Sequence, residues 1–202
     1  MPIDSPDISR PSAHIGLFFG SFNPVHVGHL QIADYMLSHV PMDELWWVVS
    51  PNNPLKKHSD LLDDRHRLQM VELAIAGRRR MRTCDIEFFL SKPSYTIHTL
   101  DSLTEKYPAY RFSLILGSDC LDTFDQWKQA DEIIRRFHRY IYPRPGTPEA
   151  QMRHLENADV VHAPEHPVSS TAVRARIRQH LPIRDLVPDP VEQYIQANKL
   201  YL

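Results

Sequence analysis

Gly20-Ser21-Phe22-Asn23-Pro24-Val25-His26-Val27-Gly28-His29 is the stretch whose reading decides the fold. Before it, Ile15-Gly16-Leu17-Phe18-Phe19 is a short apolar run that reads as a buried strand. After it, Leu30, Ala33, Leu37 and Val40 recur at helical spacing. The stretch is therefore a strand-to-helix turn. Gly20 and Asn23-Pro24 break the strand, and Gly28 lets another group come close to the first helical turn. At such a junction the first helical N–H groups lack partners and the positive end of the helix dipole is exposed, which makes an anion site. His26 and His29 are three apart, so both can project from one side of the turn. Two imidazoles there can donate to phosphate oxygens without carrying a permanent charge.

Outward from this turn the chain alternates strands and helices. The first helix should end near His39, before Pro41, and Glu44–Val49 reads as a second strand. Strand, helix, strand over this length is a βαβ unit with parallel strands, and such sheets bind ligands at the carboxyl ends of their strands. Residues 50–58 form a loop whose Lys56 and Lys57 could meet a phosphate or simply face water. Asp63–Ala76 looks helical and Gly77 ends it; Arg78-Arg79-Arg80 then reads as a charged helix end. Arg82–Phe89 has strand character. Ser94 is a candidate cap for a helix reaching about Tyr107, with Tyr95 and Thr96 in its first turn at the sheet's carboxyl edge.

Arg111–Leu116 is another apolar strand and ends in Gly117-Ser118-Asp119. A small residue followed by an acid at a strand end suits a ribose hydroxyl, and is equally a common turn and helix cap. Phe124 and Trp127 follow in a short helical segment, Trp127 being either core or a flat face for an aromatic ligand. Arg139–Tyr142 reads as a strand, Pro143–Gly146 as a turn, then a short helix reaches about His154, and Val160-Val161 is a last strand. In Val168-Ser169-Ser170-Thr171-Ala172-Val173-Arg174, either serine can cap a helix that carries Thr171, Arg174 and Arg178 away from its apolar side. This is a second candidate polyphosphate site, though such a pattern is more often a capped helix with solvated arginines. The last segment, with Val191, Tyr194 and Ile195 on one helical side, reads as packing.

The pattern predicts an α/β fold, a Rossmann-like doubly wound parallel sheet with a small C-terminal helical part. A length of 202 residues suits one domain, 1–202, with a loose lead-in at 1–12 and a helical part at 168–202. A net charge of -2 offers no general attraction to nucleic acid or to anionic membrane, so any anion site is local. There is no signal-peptide core and no run of membrane-spanning length, and the two cysteines, Cys84 and Cys120, form no CxxC pair; a cytoplasmic location is expected. His58, His66, His98, His138, His154 and His162 are scattered without HExxH spacing, which argues against a metal-dependent hydrolase.

His26-Val27-Gly28-His29 behind Gly20-Ser21-Phe22-Asn23-Pro24 resembles the (H/T)xGH signature of the nucleotidylyltransferase superfamily. From about residue 14 to 202 the chain is similar to the nicotinate mononucleotide adenylyltransferases, through 20–29, Pro54–Lys57, Ser94–Ile97, Gly117–Asp119 with Trp127, Pro143–Gly146, Ser169–Arg174 and the Leu186–Ile195 run. That resemblance implies that His26, His29 and Arg174 are catalytic. It implies ATP binding by Gly20, Ser21, Phe22, His26, His29, Gly117, Asp119, Ser170, Thr171 and Arg174, and mononucleotide binding by Asn23, Lys57, Tyr95, Thr96 and Trp127. The substrates would be ATP, with magnesium held by its phosphates rather than by protein side chains, and nicotinate mononucleotide. Two departures bear on the pyridine preference. The opening Phe19-Gly20-Ser21-Phe22-Asn23-Pro24 replaces the common Gly-Gly-Thr-Phe-Asp-Pro, and His98 stands where an acid is usual. A nicotinamide-using or dual-specificity enzyme, and a non-catalytic nucleotide sensor, are the alternatives; phosphopantetheine adenylyltransferases are similar only around His26–His29.

Overall fold

A computed structural model describes residues 12–51, 61–164 and 166–202. Lys56, Lys57 and residues 1–11 of the lead-in lie outside these. Strands β1 (Ala13–Gly20), β2 (Glu44–Val49), β3 (Met81–Cys84), β4 (Tyr110–Gly117), β5 (His138–Tyr142) and β6 (Ala158–Val160) make one six-stranded sheet in the order β3-β2-β1-β4-β5-β6. Every pairing is parallel. The order reverses between β1 and β4, so connections leaving those two carboxyl ends diverge and open a crevice between them.

Helices α1 (Val27–His39), α2 (Asp64–Ile75), α3 (Thr96–Lys106), α4 (Ala130–Arg136), α5 (Ser170–Arg178) and α6 (Asp189–Ala197) complete the element order, with 3-10 turns at Ile86–Phe89, Ser118–Gln126 and Glu149–Met152. The central strands are apolar on both faces because both are covered. Phe18, Trp47 and Ile115 point into one core with α1, α2, α5 and α6 residues. Their sequence neighbours Leu17, Trp46 and Leu114 point into the other, with Ile97, Leu100, Leu103 and Ile133 of α3 and α4. The period-2 alternation of a strand thus splits each strand between two cores.

Three expectations are corrected. The strand predicted over Arg82–Phe89 is β3 only as far as Cys84; the rest is a 3-10 turn. There the chain turns Glu87 inward, where its carboxylate accepts from the Thr99 hydroxyl at 2.8 Å, and leaves Phe89 exposed. Ser94 does not cap α3: Tyr95 occupies the cap position and no side chain makes a capping bond. Beyond Pro143–Gly146 the helix expected to reach His154 is only the 3-10 turn Glu149–Met152. Of the lead-in, Ser12 is already tied down, its N–H donating to Ala109 O at 2.7 Å.

Candidate active site

The β1–α1 turn holds its two histidines in a reciprocal lock. His26 is the N-cap of α1, and its Nδ1 accepts from the His29 N–H at 3.3 Å, while His29 Nδ1 accepts from the His26 N–H at 3.2 Å. The rings stack at 3.6 Å between centroids. Because each Nδ1 is an acceptor, a neutral ring must carry its proton on Nε2. Burial lowers His26 from 6.5 to about 3, helped by the positive charge of Arg144 and by His166, so the ring stays neutral at physiological pH. Phe18 and Phe22 meet the His29 ring edge-on, at 6.2 and 5.2 Å. Phe22 adopts a left-handed backbone, φ 44, uncommon for a bulky residue, and its ring lies where a Cβ on Gly20 would stand, at 2.7 Å. A Cβ on Gly28 would come within 3.1 Å of His26 Nδ1 and 3.3 Å of His166 Cβ, so glycine is what lets the imidazole fold back.

The second motif is bonded directly to the first. Ser169, not Ser170, caps α5, accepting from the Ala172 N–H at 3.1 Å. Ser170 Oγ donates to Pro24 O at 2.9 Å, so its hydroxyl proton serves the turn. Arg174 Nη1 donates to Asn23 O at 2.8 Å, and its Nε is buried without a hydrogen-bond partner among the described residues. Thr171 is exposed in the first turn of α5. The carboxamide oxygen of Asn23, a residue 5% exposed, accepts from Tyr201 Oη at 2.9 Å and from the Leu62 N–H at 3.3 Å. Burial pushes the Tyr201 phenol up, so it remains a donor. The C-terminal segment, read from sequence as packing alone, therefore also anchors the site.

Arg67 is another residue that the sequence reading passes over. It is 1% exposed and donates to three carbonyls: Ser21 O at 2.7 Å, Ser50 O at 2.8 Å and Leu62 O at 2.9 Å. Ser21, itself half-buried, is thus positioned through its backbone. A signal existed: positions 67, 70, 71, 74 and 75 form the buried stripe of α2, so a cation stands on an apolar face. No comparable signal marks Tyr201.

Gly117 and Asp119 lie at the carboxyl end of β4, next to the β1 terminus across the switch. A Cβ at Gly117 would collide with Asp119 Oδ1 and stand 3.0 Å from Arg144 Cγ. Asp119 Oδ1 lies 4.0 Å from Arg144 Nε, and the Arg144 N–H donates to Ser118 Oγ at 2.8 Å. Arg144, noted in the sequence only as part of a turn, lines a shallow cleft with His26, Gly28, Tyr142, His166 and Val168. On the other side of β1, Tyr95 caps α3 and Thr96 begins it. Trp127 stacks on Phe124 with centroids 4.9 Å apart, and both Tyr95 and Trp127 pack against the core beneath α3 and α4. Lys128 Nζ sits 4.6 Å from the Tyr95 ring centroid, and His98 meets the same ring edge-on at 5.4 Å. Among the described residues no three His, Cys, Asp or Glu side chains gather as a metal site, and no helix is long and apolar enough to cross a membrane.

The chain matches the Cytidylyltransferase-like family over residues 17–176. It is 46% identical to a protein of Cytophaga hutchinsonii over 93% of this chain and 97% of that one. To a protein of Bacteroides thetaiotaomicron it is 44% identical over 90% of each chain. Both relatives are named as probable nicotinate-nucleotide adenylyltransferases. Among solved structures, the nicotinic acid mononucleotide adenylyltransferase of Plasmodium falciparum complexed with NaAD superposes with a TM-score of 0.79 over 94% of this chain and 97% of that one, at 20% identity. The same protein complexed with APC gives 0.78. The fold and the two mutually bonded motifs agree with these likenesses: the chain belongs to the cytidylyltransferase-like family, among the nicotinate-nucleotide adenylyltransferases.

Proposed function

We propose that the protein transfers the adenylyl group of ATP to nicotinate mononucleotide, giving nicotinate adenine dinucleotide and pyrophosphate, a step of NAD biosynthesis. The observation that carries this reading is the His26–His29 lock, which leaves two Nε2–H donors at a helix N-terminus that Arg174 ties to α5. A 5′-phosphate oxygen of the mononucleotide attacks the ATP α-phosphorus in line, a new P–O bond forms, and the bond to pyrophosphate breaks. The attacking phosphate is already an anion at neutral pH, so no general base is needed. Rate comes from alignment and from donors fixed where charge grows on the α-phosphate and the leaving group.

In this reading His26 and His29 hold the phosphates next to the reacting phosphorus, with Gly20, Ser21 and Phe22 shaping the turn beneath them. Thr171 and Arg174 grip the β- and γ-phosphates. Ser170 belongs to the same motif, though its bond to Pro24 O suits it to fixing the turn as much as to touching ATP. Gly117 and Asp119 lie along the adenosine. Asn23, Tyr95, Thr96 and Trp127 bind the mononucleotide, together with Lys57. Magnesium enters as part of the substrate, MgATP. The donors gathered here are imidazole, guanidinium and backbone N–H, which fit phosphate oxygens, while a hard cation prefers oxygens such as those of ATP and water. Bound there, the ion would neutralise phosphate charge.

Residues 168–202 act in one domain with the sheet, a reading supported by the bonds from Arg174 and Tyr201 to Asn23. We place the enzyme in the cytoplasm, which suits two widely separated cysteines, Cys84 being buried with its thiol pushed up to about 11. The deciding assay is pyrophosphate release from MgATP with nicotinate or nicotinamide mononucleotide, with the dinucleotide identified. Strong turnover with the acid supports the reading; preference for the amide moves the enzyme to that branch; ATP binding without product makes it a sensor. His29→Ala should lower turnover about a hundredfold, the usual consequence of losing a preorganised donor, and near-normal turnover removes His29 from the mechanism.

A further inference from the structure

The residues assigned above to the mononucleotide include aromatic rings that cannot tell its two candidate substrates apart. Nicotinate and nicotinamide mononucleotide share the ribose phosphate and the cationic pyridinium ring, and Tyr95 and Trp127 offer the same π-face attraction to both. The substrates differ by one negative charge, on the substituent beside the ring nitrogen's neighbour. Only a charged group or a set of donors can read that difference.

Among the described residues a lysine stands beside these rings. Lys128 follows Trp127 directly, and its Nζ lies 4.6 Å from the centroid of the Tyr95 ring. No carboxylate of the described residues lies within 4.0 Å of it, in contrast to Arg78, Arg82, Arg135, Arg136 and Arg144, each of which has an acidic partner. The contact with the Tyr95 ring holds the ammonium of this exposed side chain next to that ring, as aromatic faces do for long cationic side chains. Tyr95 is also the N-cap of α3 and makes no side-chain capping bond, so the positive end of that helix lies at the same spot. His98, one turn into α3, packs edge-on against the same ring.

We propose that Lys128 is a specificity residue that selects the pyridine carboxylate over the amide. This assignment rests on the proposed adenylyl transfer. The ammonium pairs with the carboxylate of the zwitterionic nicotinate ring, whereas with the amide it faces a pyridinium and no compensating charge. Attraction for one substrate and repulsion of the other act in the same direction, which is how selectivity is gained at a partly exposed site.

The test compares wild type, Lys128→Met and Lys128→Arg in steady-state kinetics with each mononucleotide under saturating MgATP. Lys128 is exposed, so methionine keeps the stem and removes only the charge. The expected result for Lys128→Met is a KM for nicotinate mononucleotide raised about threefold to fivefold. The KM for the amide should be unchanged or lowered, with kcat and the KM for ATP unchanged. Lys128→Arg should recover most of the preference. An acid-to-amide ratio of kcat/KM that is the same in wild type and Lys128→Met overturns the assignment while leaving the reaction intact. Wild-type protein that makes neither dinucleotide overturns the reading of the reaction, and this assignment with it.

Discussion

Replacing His26 by asparagine tests whether the fold holds this imidazole neutral. Asparagine keeps an N-cap acceptor for α1 but does not titrate. In the native protein the ring titrates at about 3 instead of 6.5, with burial as the main cause and Arg144 and His166 adding to it. The unfolded chain therefore takes up a proton as pH falls below 6.5 that the native chain refuses until about 3. Stability from this group is present above pH 6.5 and is lost progressively on acidification. Linkage puts the loss between pH 7 and pH 5 at about 2 kcal/mol, or about 4–8 °C in melting temperature for a chain of this size. Equilibrium urea unfolding of wild type and His26→Asn at the two pH values gives the comparison, and the other histidines cancel in the difference. Wild type should lose about 2 kcal/mol more than the variant. Imidazole nitrogen shifts at pH 5 should also report a neutral His26 protonated on Nε2. Equal losses in the two proteins, or a charged ring at pH 5, would refute the neutral-donor account.

Arg67→Met keeps the bulk of the side chain and removes three charge-assisted bonds from a buried position. We expect a loss of about 3–5 kcal/mol in urea unfolding, with a fall in kcat/KM because the Ser21 carbonyl is released; a loss under about 1 kcal/mol with normal activity would show that the guanidinium positions nothing. Tyr201→Phe deletes a bond to Asn23 Oδ1, so about 1 kcal/mol of stability should go, with a raised KM for the mononucleotide. Unchanged stability and kinetics would return the C-terminal segment to simple packing.

Much of the scaffold was legible because its signals are local. The strand at Ile15–Phe19, the helix ending at His39 and the strand at Glu44–Val49 follow from apolar period and from Pro41, and all three stand where expected. The sequence extends β3 too far because Arg82–Phe89 is apolar enough for a strand, whereas the chain turns after Cys84 and buries Glu87 against Thr99, a residue of another element. Ser94 looked like a cap by composition, yet the backbone of Tyr95 takes that position. His98, conspicuous as a departure in the sequence, turns out to pack on Tyr95 beside Lys128, which no spacing singled out.

The sequence by itself determined the alternation of strands and helices, the turn that presents His26 and His29, and the capped helix that carries Arg174. Each is a matter of hydrogen bonding and side-chain period within a few residues. Only the tertiary structure decided that His26 is neutral, that Arg67 points inward to three carbonyls, and that Tyr201 reaches Asn23. Desolvation, charge proximity and the pairing of buried donors depend on which distant segments cover a group, and a parallel sheet wound in both directions brings together segments far apart in the chain.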